Sequence, residues 1–333
     1  MLKIFFEKML QKNLTFSSGK LCRKRACISE TKTKYDCLEI FRYDWNLRDF
    51  IIRYLRKKIK IAQNGHNTIY EERRKSMCEL FGVDSAKKIP LNELLREFFS
   101  DGTEHPHGWG MAFFYGNAVS LEKQPQSAVT SNYLKQRLRA KIETDKMIAH
   151  IRLATRGTMD YENTHPFVMR DNYDRTWTLA HNGTIFESEV LEPFVAAEDG
   201  DTDSERILCY IIDQVNAAQD EKGAALTKEE RFALLNRIIL EIAPENKLNL
   251  LIFDGEIMYV HTNYKDSLYR CRKDTAIVMA TRPLDRDKWK NIPMNQLLAY
   301  EDGKLIYTGT KHEYEFVDSE EKMHMLFLDF ANL

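Results

Sequence analysis

Three two-residue turns constrain what this chain can fold into more than any other feature. Gly116-Asn117 divides the apolar run Gly108 to Tyr115 from Ala118 to Leu121. Asp254-Gly255 divides Leu248 to Phe253 from Glu256 to His261, and Asp302-Gly303 divides Gln296 to Tyr300 from Leu305 to Thr308. Such turns need backbone conformations that Gly, Asn and Asp adopt at little cost, and two residues suffice only between antiparallel strands. Short apolar runs at Lys146 to Ala154, Thr176 to Ala180 and Ala276 to Ala280 predict further strands. Helical spacing appears from Ile89 to Ser100, where Leu91, Leu94, Leu95 and Phe98 share a face, then from Asp203 to about Ala218 and from Lys228 to Ile242. Strands at both ends with helices between them predict an α+β arrangement of antiparallel sheets covered by helices.

The near balance of 49 basic and 50 acidic residues conceals a break at Met77. Residues 1–77 hold 19 Lys and Arg against 8 Asp and Glu, a net of +11; the remainder holds 30 against 42, a net of −12. The division is therefore a basic extension, 1–77, and a functional domain, 78–333. Apart from a basic helix around Trp45 to Ile61, the extension lacks sustained periodicity, and three readings compete for it. It is an arm that contacts nucleic acid or an acidic membrane, a targeting or pro-segment, or a stretch that is never translated. Lys3, Glu7, Lys8 and Lys12 interrupt the apolar centre that a secretory signal requires. Glu71-Glu72-Arg73-Arg74-Lys75 can be encoded wholly by purines, as a ribosome-binding site ahead of an internal Met would be. The third reading is preferred, because a retained extension would lock the α-amino group of Cys78 in a peptide bond.

That cysteine heads the run Met77-Cys78-Glu79-Leu80-Phe81-Gly82. If the chain starts at Met77 and loses it, Cys78 carries a thiol and an α-amino group that titrates near pH 8, a nucleophile with its own base. The plain alternative is a small buried hydrophobe. No apolar run is long enough to cross a bilayer, and six Cys without regular spacing form neither a disulfide framework nor a zinc pattern. The expected setting is cytoplasmic, with no metal, organic cofactor, membrane or nucleic-acid partner. His105 and His107 lack a third ligand and are read as solvated loop residues.

Three strand ends gather polar residues. In Ala149-His150-Ile151-Arg152-Leu153-Ala154-Thr155-Arg156-Gly157, strand alternation sets His150 and Arg152 on one face, where the Arg152 fork suits an amino-acid α-carboxylate. In His181-Asn182-Gly183-Thr184 the Asn-Gly pair is either a hairpin turn or an oxyanion hole, in which the Asn amide and the Gly N–H aim at one oxygen. In Thr202-Asp203-Ser204-Glu205 a helix cap competes with a carboxylate that receives a substrate ammonium.

Cys78 behind Met77, the Arg152 run, Asn163-Thr164-His165-Pro166, His181-Asn182-Gly183 and Thr202 to Glu205 occur in the order found in class II glutamine amidotransferases, which this chain resembles from Cys78 to about Thr310. Leu153, Arg156 and the free-standing size look like the YafJ-like members, although His107-Gly108-Trp109-Gly110 departs from their usual Asp-Gly-Trp-Gly. The resemblance implies a four-layer αββα sandwich. It makes Cys78 the nucleophile on the glutamine side-chain amide and makes Asn182 and Gly183 the oxyanion donors. Arg152, Thr155 and Asp203 become the substrate-binding set, Arg152 for the α-carboxylate and Asp203 for the α-amino group. A γ-glutamyl thioester forms, and ammonia is released. No acceptor domain fits after Thr310, so ammonia goes to a separate synthetase or the protein hydrolyses glutamine or another γ-glutamyl amide. A rival reading is a non-catalytic module that senses glutamine.

Overall fold

In the computed structural model residues 78–103, 105–154 and 157–319 are described. The basic extension, with its expected helix, and Thr155 lie outside the described residues. In chain order the strands are β1 (Glu79–Pro90), β2 (Trp109–Tyr115), β3 (Ala118–Gln124), β4 (Glu143–Ile151), β5 (Phe167–Arg170), β6 (Thr176–Thr184), β7 (Lys247–Phe253), β8 (Met258–Thr262), β9 (Tyr269–Lys273), β10 (Ala276–Ala280), β11 (Lys290–Asn291), β12 (Leu298–Glu301) and β13 (Lys304–Thr308). The helices are α1 (Asn92–Ser100), α2 (Asn132–Arg137), α3 (Asp203–Lys222) and α4 (Lys228–Ile242).

The strands make two antiparallel sheets, one in the order β11-β9-β10-β1-β4-β2-β3 and one in the order β13-β12-β8-β7-β6-β5. Alternation along each strand sorts its apolar residues between two cores. On β1, Phe81 and Val83 join Leu94, Leu95 and Phe98 of α1, whereas Leu80 faces Leu251 and Val260 of the opposing sheet. On β6, Trp177 and Leu179 pack with Ile207 and Ile211 of α3 and Leu235 of α4, whereas Ala180 faces inward between the sheets. Helix, sheet, sheet and helix thus stack as four layers with three apolar seams, the expected αββα sandwich.

Gly116-Asn117 and Asp302-Gly303 form as two-residue turns, whereas β7 and β8 are joined by four residues, Asp254 to Ile257, because β8 begins at Met258 and not at Glu256. Asp302 and Gly303 both have positive φ, 53° and 73°, as a tight hairpin of this hand requires. Asp254 earns its place differently: its Oδ1 accepts from the N–H groups of Glu256 (3.0 Å) and Ile257 (2.8 Å). Its Oδ2 accepts from Arg231 Nε (2.6 Å) and the Tyr259 hydroxyl (2.7 Å), which ties the turn to α4. The helix expected from Ile89 begins at Asn92 instead, because β1 continues through Ile89 and Pro90, opposite Thr144 and Glu143. A residue before proline is pushed out of the helical region, and Pro90 itself closes the strand.

Candidate active site

The register of β1 against β4 sets Glu79 opposite Ile151, which brings Cys78 beside Arg152 at the end of the ladder. The half-buried Cys78 thiol donates to the Leu153 carbonyl (3.3 Å) and accepts from the Leu153 N–H (3.2 Å). Burial pushes this thiol up to about 11, against the pull of the Leu153 N–H and Arg152, with Glu79 and Asp203 adding to the rise. At neutral pH it therefore needs a base. Arg152 and Asp203 both lie within electrostatic reach of the sulfur.

Arg152 is buried, and its guanidinium donates to the carbonyls of Thr158 (2.7 Å) and Gly157 (3.2 Å). Gly157 adopts φ 77°, and a Cβ there would fall 2.6 Å from Asp201 Oδ1. That carboxylate accepts from the Thr158 N–H (3.2 Å) and from Asn163 Nδ2, while Asn163 Oδ1 accepts from the Asp201 N–H (2.9 Å). The loop after β4 is thus braced on the turn before α3. Lys123 secures its far end by donating to the Thr164 carbonyl (2.8 Å), 4.5 Å from the centre of the Tyr161 ring.

Asn182 and Gly183 do not form a hairpin turn. They lie inside β6, opposite Asn249 and Leu248 of β7. Gly183 is required there by close approach, since a Cβ would sit 1.9 Å from the Lys247 carbonyl oxygen. His181 Nε2 donates to that same carbonyl (3.0 Å), which leaves Nδ1 to accept from the Ser204 hydroxyl (2.9 Å). Asp203 opens α3 behind its Thr202 cap, and its Oδ2 accepts from the Ile185 N–H (2.8 Å) just past β6. The helix N-terminus favours this buried carboxylate.

One hydrogen bond crosses between the sheets at this level. His150 Nε2 donates to the His181 carbonyl (3.2 Å), so the strand that carries Arg152 is held against the strand that carries Asn182 and Gly183. Burial and the Arg152 charge keep His150 well below its ordinary value, so it is neutral.

The structure therefore gathers Cys78, Arg152, Asp203, Asn182 and Gly183 around one end of the sandwich. It corrects the reading of His105 and His107 as solvated. His105 is buried with Nδ1 donating to the Asp101 carbonyl (3.0 Å). His107 Nδ1 accepts from the Ala154 N–H (2.9 Å), and burial, with Arg152 and His105, lowers it to about 4. Its backbone N–H donates to the Arg152 carbonyl (3.2 Å), so His107 fixes the segment that presents the arginine. The sequence signal was its place immediately before Gly108-Trp109-Gly110, at the head of β2. Sequence reading also missed Asn249, which cross-strand register sets opposite Asn182.

The fold is of the N-terminal-nucleophile amidohydrolase type. The family model for class II glutamine amidotransferases matches residues 77–274. A protein of Methanocaldococcus jannaschii is 30% identical over 263 residues, 71% of this chain and 72% of that one. Escherichia coli YafJ, provisionally named a glutamine amidotransferase, is 30% identical over 195 residues, 56% of this chain and 74% of its own. Among solved structures, an allosteric regulatory enzyme of purine biosynthesis superposes with a TM-score of 0.54 at 18% identity over 68% of this chain. A predicted glutamine amidotransferase of Pseudomonas aeruginosa gives 0.50 at 21% identity over 69% of this chain and all of its own. This chain spans about half of the purine enzyme, 48% of its length. The chain belongs to the class II glutamine amidotransferases.

Proposed function

We propose that the protein cleaves the side-chain amide of glutamine, with Cys78 as the nucleophile once its α-amino group is free. The α-amino group takes the thiol proton, and the sulfur bonds to the amide carbon. Asn182 Nδ2 and the Gly183 N–H hold the oxyanion that forms. Collapse breaks the carbon–nitrogen bond, and ammonia departs with the proton from the Cys78 ammonium. Water then attacks the γ-glutamyl thioester, the carbon–sulfur bond breaks, and glutamate leaves. Arg152 holds the α-carboxylate, Asp203 the α-ammonium, and Thr155 completes the substrate-binding set.

The observation that carries this reading is the placement of Arg152 and Asp203 within electrostatic reach of Cys78. A fork and a carboxylate that both act on one sulfur match the two charged ends of an amino acid, whose side chain would then lie along the thiol. The family match opens at residue 77, which supports a working chain that begins at Cys78 and lacks the 1–77 extension. The ammonia then passes to a separate synthetase or leaves as free product of a stand-alone hydrolase.

The test is glutamine-dependent ammonia release by protein started at Met77 and by protein started at Met1, with N-terminal sequencing of each. Labelling by 6-diazo-5-oxo-norleucine is measured in parallel. Activity and labelling are expected only where Cys78 is the first residue, and Cys78→Ala should lose both. Full activity from a chain with an unprocessed Met1 would overturn the terminal-amine mechanism. Glutamine binding without ammonia release from a Cys78-terminated chain would instead identify a sensing module.

A further inference from the structure

A cavity of about 1060 Å3 opens two strands away from β1, toward its Pro90 end. On β9, Arg270 lies opposite Met279 and Arg272 opposite Ile277. Met279 and Ile277 belong to the seam between the sheets, so the two arginines stand on that inner face where the sandwich opens at its edge. Lys290 of β11 is in register with Arg270, and Lys288 adds a further cation to the lining.

Neutral groups of the opposing sheet orient both guanidiniums. Arg270 Nη1 donates to the Tyr300 hydroxyl (2.7 Å) and Arg272 Nη2 to the Gly303 carbonyl (2.6 Å). Among the described residues, neither arginine nor either lysine forms an ion pair. The remaining basic residue of the lining, Lys273, is neutralised by Asp285 (2.5 Å) and Asp287. That leaves four uncompensated cations facing one cavity, with Asp274 as the only other carboxylate of its lining. They sit in a domain whose total charge is −12, so the local sign runs against the field of everything around it.

We propose that this mouth binds a small molecule carrying two or more phosphate charges. The arginine forks have donors left for phosphate oxygens, and the paired lysines add charge without demanding a geometry. The size suits a nucleotide-sized ligand, and Ile89, Pro90 and Leu305 supply apolar wall for its uncharged part. Four cations exceed what a single carboxylate needs, which favours a polyphosphate. The site is independent of the chemistry at Cys78.

The test is calorimetric titration of the full chain with inorganic pyrophosphate and with ATP at low salt. The comparison proteins are Lys288→Glu/Lys290→Glu, Arg272→Lys and Cys78→Ala. Lys288 and Lys290 are exposed, so their reversal leaves the fold intact, which circular dichroism checks. Both probes should bind the wild type and Cys78→Ala alike and weaken as salt rises. The double reversal should lose at least about tenfold in affinity, and Arg272→Lys should lose less. Failure of both probes to bind, or binding that survives the double reversal through the basic 1–77 extension, overturns the proposal. Tighter binding of a single-stranded oligonucleotide than of ATP also overturns it, in favour of a nucleic-acid surface.

Discussion

Asn182 lies directly opposite Asn249 across β6 and β7, and each keeps one buried polar atom without a partner, Oδ1 of Asn182 and Nδ2 of Asn249. The Thr262 hydroxyl donates to Asn249 Oδ1 (2.6 Å), which turns the Asn249 NH2 away from it. A donor and an acceptor on neighbouring side chains about 5 Å apart at Cβ complement one another. Engaged together, they would fix the Asn182 amide with its NH2 toward the oxyanion. Asn249→Leu is expected to lower kcat about tenfold, one hydrogen bond's worth, while KM stays within about twofold. Steady-state ammonia release measures both, and an effect on KM alone would exclude this role.

Replacing Arg152 with Lys removes the two-pronged contact, so KM for glutamine should rise while kcat changes little. Asn182→Ala removes the proposed oxyanion donor and should lower kcat by about a hundredfold or more. The reverse pattern in the same assay would exchange the two roles.

Glu79 follows Cys78 and accepts from the Thr281 hydroxyl. Burial, with Asp101 adding, pushes its carboxyl up to about 7, against Thr281 and Arg282. From its ordinary 4.5 up to about 7 the folded chain holds a proton that the unfolded chain has lost, so stability falls as pH rises through that window. Glu79→Gln should therefore gain in melting temperature relative to wild type between pH 5 and pH 8. Because the Glu79 charge raises the Cys78 thiol, alkylation of Cys78 should shift to lower pH in the same variant. A difference in melting temperature that stays flat with pH would rule out a buried, protonated Glu79.

Burial holds Lys123 down at about 8, against the attraction of Glu205, Glu162 and Asp199. Its ammonium steadies the loop whose carbonyls grip Arg152, and that hold weakens as the proton leaves above pH 8. Lys123→Met should raise KM about threefold to tenfold with kcat nearly unchanged. Wild-type KM should climb toward the same value above pH 8, whereas the variant should show no such climb. Equal pH profiles in the two proteins would separate Lys123 from substrate binding.

The parts of this molecule that were legible in the sequence are those whose cause is local. Asp302-Gly303 turns because of its own dihedral preferences, and α3 starts where Thr202 caps it. Asn182-Gly183 shows the limit. The same local preferences point to a turn, yet the glycine is there because the Lys247 carbonyl, 64 residues on, leaves no room for a Cβ. His105 looked solvated because its loop is polar, while its burial depends on Asp101 and the packing around it. β9, Tyr-Arg-Cys-Arg-Lys, escaped notice because three of its five residues are charged, and their partners, Asp285 and Asp287 for Lys273, Tyr300 for Arg270 and Gly303 for Arg272, lie on other segments. The site residues themselves were legible as types at strand ends. Their convergence depended on pairing that no single segment encodes.

The His150 to His181 hydrogen bond joins the two layers at the Cys78 end of the apolar seam, far from the Arg270–Tyr300 and Arg272–Gly303 bonds that join them near Pro90. Cys78 rides on one layer and Asn182 on the other, and oil-like contacts resist separation far better than they resist sliding. A slip of a fraction of an ångström would leave every helix and strand intact and both outer cores dry, yet carry the sulfur out of line with the Asn182 amide. Turnover is thus a gauge of lamination, and on warming it should fade before any loss of ellipticity.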